Sequence, residues 1–148
     1  MKKIAAFIFV VALFPAMAAA QSVGSVLDEF GLTGGSWAPD CSQGPSTKNW
    51  YGRYQVLPSG EARLTYSSKS SSSGDNVYVI WLARRLSDTE ILMGQEFVRE
   101  NRRLEVVLLV EGDRYHTMSV KRTNGDYQVK NGKYTDDGTD SPWLNRCR

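Results

Sequence analysis

Histidine and cysteine are scarce in this chain: 148 residues include one histidine, His116, and two cysteines, Cys41 and Cys147. Three such side chains make a poor ligand set for a structural or catalytic metal, so no metal site is expected. A Ser-His-acid arrangement would have to be built on His116, which alternates with Met118 and Val120 along one strand face. Packing, or exposure beside the turn, is the simpler role for that side chain. The acidic group Asp136, Asp137 and Asp140 lacks the full spacing and closing glutamate of a calcium loop. No carboxylate pair stands out for glycoside hydrolysis. No catalytic residue and no cofactor is therefore assigned, and the chain reads as a non-enzyme.

Long apolar runs are also missing. Ile4 to Phe14 spans eleven residues, short of the ~20 needed to cross a bilayer. Lys2 and Lys3 precede it, Pro15 breaks it, and Ala16 to Ala20 offer small-residue cleavage sites. Together these read as a secretory signal over residues 1–20, cut after Ala18-Ala19-Ala20. No cysteine follows to carry a lipid. The segment is similar to a Gram-negative signal peptide, which implies a periplasmic or secreted protein with no transmembrane span after cleavage.

An excess of basic charge is the third absence. The chain has 18 Lys and Arg against 16 Asp and Glu, but two of the lysines leave with the signal. The remainder is formally neutral, so a general nucleic-acid binder is not expected.

What remains is about 128 residues, enough for a single domain over 21–148. In an oxidising compartment its two cysteines favour a Cys41–Cys147 bridge over two separate buried thiols. A loop of that size corresponds to ~4.7 kcal/mol of chain entropy. The bridge would join the first-strand segment to a tail expected to lie outside the last strand.

A short helix is predicted after Gln21, with Ser25 as cap, Asp28 completing an imperfect capping box, and Gly31 as stop. Beyond it the pattern is β. Strands are predicted over 50–57, 61–67, 77–86, 90–99, 103–110, 115–122 and 127–134, joined by short polar turns that favour an antiparallel meander. Asn124-Gly125 is the strongest of these turns, since both residues tolerate positive φ. The serine-rich stretch Ser67 to Ser73 reads as a solvated connection.

Two stretches are apolar on both faces. Leu104, Val106, Leu108 and Val110 back onto Val107 and Leu109, while Tyr78, Ile80 and Leu82 oppose Val77, Val79 and Trp81. A face open to water should be more polar, so the helix and the tail are expected to cover them. A monomer is expected in preference to a dimer.

The short helix, Gly35-Ser36-Trp37 on a first strand, the meander and a late basic residue resemble the lipocalin, or calycin, β-barrel. That resemblance implies that Gly35 and Trp37 anchor the closed end of the barrel, with Arg146 or Arg148 over the indole. The chain also resembles small exported bacterial proteins of unknown function that share a Gly-x-Trp-x-x-Asp-Cys start and a terminal cysteine. The expected fold is all-β, an antiparallel meander closing into a small barrel.

Residue type and alternation then nominate Trp50, Tyr54, Tyr66, Trp81, Phe97 and Tyr115 as walls of a ligand cavity, with filling of a small barrel as the alternative. Two basic clusters, Arg84-Arg85 and Arg99 with Arg102-Arg103, are either neutralised by Glu90, Glu96, Glu100 and Glu105 or free to meet an anion. Arg99 or a neighbouring arginine is the candidate for orienting an anionic group. The expected function is binding of a small hydrophobic or amphipathic ligand, or an envelope-associated role. The alternative is a protein-interaction module such as an exported protease inhibitor or assembly factor.

Overall fold

The computed structural model describes residues 21–68 and 75–148. The segment read as a signal, 1–20, lies outside the described residues, as do residues 69–74 of the serine-rich connection.

Helix α1 (Val23–Glu29) opens the described chain. Its cap is Ser22 and not Ser25: the Ser25 N–H donates to Ser22 Oγ at 3.1 Å, and the Ser25 hydroxyl donates to the Ser22 carbonyl at 2.9 Å. Starting three residues earlier than expected gives the helix enough length to bury Val26, Leu27 and Phe30 together. Gly31 stops it as expected, at φ 65°. Its N–H bonds the Asp28 carbonyl while the Leu32 N–H bonds that of Leu27, the paired bonds of a Schellman stop.

Ten strands follow: β1 (Ser36–Ala38), β2 (Tyr51–Val56), β3 (Ala62–Ser67), β4 (Asn76–Arg85), β5 (Glu90–Phe97), β6 (Arg102–Glu111), β7 (Arg114–Arg122), β8 (Tyr127–Lys130), β9 (Lys133–Tyr134) and β10 (Trp143–Cys147). β1 to β7 pair in sequence order, all antiparallel. β10 then enters between β7 and β1, and the sheet closes into a barrel of eight strands. The β8–β9 hairpin branches off the other half of β7.

Four expectations are corrected or refined here. The tail after Pro142 does not lie outside the last strand; it is β10, the strand that completes the wall. The run 127–134 is two strands, because Asn131 (φ 53°) and Gly132 (φ 74°) form a tight hairpin turn between them. At Asn124-Gly125 only the glycine takes a positive φ, 94°. Neither the helix nor the tail covers the outer face of β6, since one packs into the barrel core and the other joins the wall. Val107 and Leu109 stay half-buried there.

Cys41 and Cys147 are bridged, with their Cα atoms 5.3 Å apart. In the β1–β10 register Trp37 faces Arg146 and Ser36 faces Cys147. Trp37 is wholly buried inside, so Cys147, one residue on, points outward. The bridge therefore lies outside the seam at which the barrel closes.

The inner end of that seam is a plug. Trp37 Nε1 donates to the Leu32 carbonyl at 3.0 Å, and the Arg146 guanidinium stands 4.5 Å above the indole. Arg146 is held in turn by the Gly31 carbonyl and by Asp113, 3.0 Å from its Nε. Of the two arginines considered for this role, Arg146 fills it. Arg148 instead reaches the second Asp113 oxygen at 2.6 Å.

Candidate functional site

Strand direction puts α1, the Trp37 plug and the ends of β4 and β6 at one pole. The starts of β2, β4, β6 and β10 and the ends of β3, β5 and β7 meet at the other. A cavity of about 960 Å³ lies in this second half. That is at the upper end of the range for small-molecule sites.

Its wall has two characters. Leu104, Val106, Leu108, Val120 and Leu144 give an apolar side from β6, β7 and β10. Opposite them stand Trp50, just before β2, Tyr54 on β2, Tyr66 on β3 and Tyr78 on β4. The rings form a continuous ladder. Trp50 meets Tyr66 edge-on at 4.5 Å, Tyr66 meets Tyr78 at 5.9 Å, and Tyr78 stacks on Phe97 at 4.9 Å. Deeper down, Tyr54 meets Tyr115 at 6.1 Å and Tyr115 meets Trp37 at 5.0 Å, so the wall is continuous with the plug.

Burial pushes the phenols of Tyr54, Tyr66, Tyr78 and Tyr115 above the ordinary tyrosine value, because an apolar surround penalises the phenolate. They remain neutral hydroxyls at physiological pH. The Tyr115 hydroxyl has no well-aligned partner among the described residues, although those of Tyr54 and Tyr66 are close enough to affect its ionisation.

Of the nominated residues, Trp50, Tyr54 and Tyr66 line the cavity. Tyr115 is buried beneath them, and Phe97 backs Tyr78. Trp81 does not line it. On β4 the inward residues are Tyr78 and Ile80, and Trp81 is the extra residue of a bulge between Ile80 and Leu82. It lies outside, 49% exposed, across Gly94 and under Arg103. Arg99 is exposed in the turn after β5 and does not line the cavity either. Most of the basic clusters are answered by acids: Arg85 by Glu29 and Asp88, Arg102 by Glu100, and Arg103 by Glu96.

His116 does meet a serine: its Nε2 is 2.8 Å from Ser141 Oγ. The same nitrogen is 2.8 Å from the Ser141 carbonyl, which only accepts, so Nε2 carries a proton. Ser141 spends its own hydroxyl proton on the Thr117 carbonyl at 2.8 Å. The pair is a pin joining the approach to β10 to β7, with no base aimed at the hydroxyl. Trp143 stacks on the imidazole at 4.9 Å and continues this pin outward. Among the described residues no three His, Cys, Asp or Glu side chains converge as a metal site would require.

No known family, curated protein or solved structure matches the chain. Its functional reading therefore rests on geometry and chemistry.

Three features of the mouth escaped the sequence. Asn49 is buried and ties down the β1–β2 loop: it accepts from the Asp40 N–H at 2.9 Å and donates to the Asp40 and Gln43 carbonyls at 2.8 and 3.1 Å. Gln95 is 4% exposed and lines the cavity, with an amide nitrogen that meets the Met93 sulfur at 3.9 Å. Arg122 lines the cavity without an ion pair to any described residue.

Proposed function

We propose that this chain is an exported, non-enzymatic binding protein that carries a small hydrophobic or amphipathic ligand in a lipocalin-like barrel. The observation that carries this reading is the cavity of mixed aromatic, aliphatic and polar lining, at the opposite pole from a plug held by Trp37 and Arg146 and stapled outside by Cys41–Cys147. Such a wall gives apolar area for a ligand body, while its neutral hydroxyls and the Gln95 amide give points of orientation. The disulfide suits an oxidising compartment, which in turn suits the signal-like start. Helices long and apolar enough to cross a membrane are absent among the described residues.

The protein-interaction reading finds less support. The large exposed apolar side chains, Val56, Trp81, Leu86, Val98 and Tyr127, fall on β2, on β4, on the turn after β4, on the turn after β5 and on β8.

The test is titration with N-phenyl-1-naphthylamine, whose emission rises on entering an apolar site. Saturable one-to-one binding is expected, and Val120→Trp, which fills the cavity from its β7 side, should weaken it at least about tenfold. No saturable signal in the wild-type protein, or unchanged binding in the filled variant, would count against the cavity as a ligand site.

A further inference from the structure

At one level of the cavity a buried amide and a guanidinium face the same space. Gln95 on β5 pairs with Leu104 on β6, and Leu104 pairs with Arg122 on β7. Cross-strand partners share a face, and all three residues line the cavity. Gln95 and Arg122 thus point inward at one height, two strand spacings or about 10 Å apart at the backbone. Between them lies only Leu104.

Each carries an N–H without a strong acceptor. Gln95 is nearly wholly buried, with a sulfur as the partner of its amide nitrogen, and sulfur is a weak acceptor. Arg122 has a buried Nε–H with no acceptor. Two acids share the cavity lining, and neither is ion-paired with Arg122. Asp126 accepts from Asn124 Nδ2 at 2.7 Å, and Asp136 from the Asp137 N–H at 2.9 Å. A guanidinium in a part-apolar wall without a counter-ion is costly, and a buried amide without a strong partner adds to that cost. An anion placed between them removes both penalties.

We propose that Arg122 and Gln95 form a clamp for the carboxylate of an aliphatic carboxylic acid, whose chain lies along Val106, Leu108 and Leu144. The inference rests on the ligand-carrier reading and gives that ligand its chemical class. A guanidinium edge matches a planar carboxylate bidentately. Gln95 donates from the other side. The two rim aspartates disfavour a doubly charged phosphate headgroup.

The experiment compares decanoate, decanol and decyl phosphate as competitors for the bound naphthylamine in the wild-type protein and in Arg122→Met. A charge-assisted bond predicts that the wild type holds decanoate at least about tenfold more tightly than decanol. Arg122→Met should lose that preference while its affinity for decanol stays within about twofold, and Gln95→Leu should lose part of it. Equal affinities for decanoate and decanol, or a preference that survives Arg122→Met, would overturn the clamp and leave the carrier reading intact. Decyl phosphate binding more tightly than decanoate would overturn the carboxylate class. Displacement by none of the three would overturn the clamp, and absence of naphthylamine binding would overturn the carrier reading as well. The wild-type comparison needs no variant, so a folding defect in Arg122→Met does not remove the test.

Discussion

Cys147→Ser is expected to destabilise the protein by about 4.7 kcal/mol, the chain-entropy value for a closed loop of this length. Typical domains have only about 5–15 kcal/mol in total, so the variant should be near its folding limit at 37 °C. The loss should be local in its first effects. β10 has five residues, pairs with only three of β1, and is the strand that closes the wall. Without the staple it is held by those bonds, by three more pairs with β7, by the bonds of Arg146 to Gly31 and Asp113, by buried Leu144, and by Trp143 between Arg114 and His116. Limited proteolysis should therefore cut first near 143–148, and reduction of the wild-type protein should reproduce both effects. A variant with unchanged urea midpoint and an uncut C-terminus would show that the bridge does not hold the seam.

Trp37→Ala should have the second largest effect, about 3–5 kcal/mol, the usual cost of removing a fully buried large aromatic. The indole carries the Arg146 guanidinium, meets Tyr115, and satisfies the Leu32 carbonyl just beyond α1. Its removal leaves a void beneath Arg146, whose bonds to Gly31 and Asp113 then have no apolar support. Arg146→Met should cost less, because the thioether can still cover the ring. In a double-mutant cycle the two losses should add to more than that of the double variant. Additive losses in urea unfolding would mean that the plug is not one unit.

Much of the barrel was legible in local pattern. Alternation marks β2 to β7 to within a few residues, and the short turns make them antiparallel neighbours. β10 was hidden for a physical reason. Trp143–Cys147 is short, follows Pro142, and has as its partners β1, more than a hundred residues away, and β7. No local signal reports such pairings. The Asn131-Gly132 hairpin, by contrast, was present in the sequence as a turn dipeptide inside an apparent strand.

The cavity was partly legible for the same reason and partly obscured by bulges. Trp50, Tyr54 and Tyr66 follow from aromatic character on inward positions. On β4 residue size pointed to Trp81, whereas the inward series passes through Tyr78 and Ile80. On β7 a bulge at Met118 reverses the alternation. Tyr115 and Thr117 face inward before it, and Val120 and Arg122 face inward after it. Strict alternation from Tyr115 would have turned Arg122 to solvent. The density of arginines around 99–103 thus drew the expected anion contact to Arg99, while the unpaired inward arginine stands on the next strand.

Whether the open half of this barrel holds a small amphipathic molecule is decided by native mass spectrometry of protein purified from its own compartment. The expected result is a one-to-one adduct of a discrete small molecule, released on denaturation and recovered as an organic acid. A homogeneous ligand-free monomer, in protein that also fails to take up added decanoate, would contradict it.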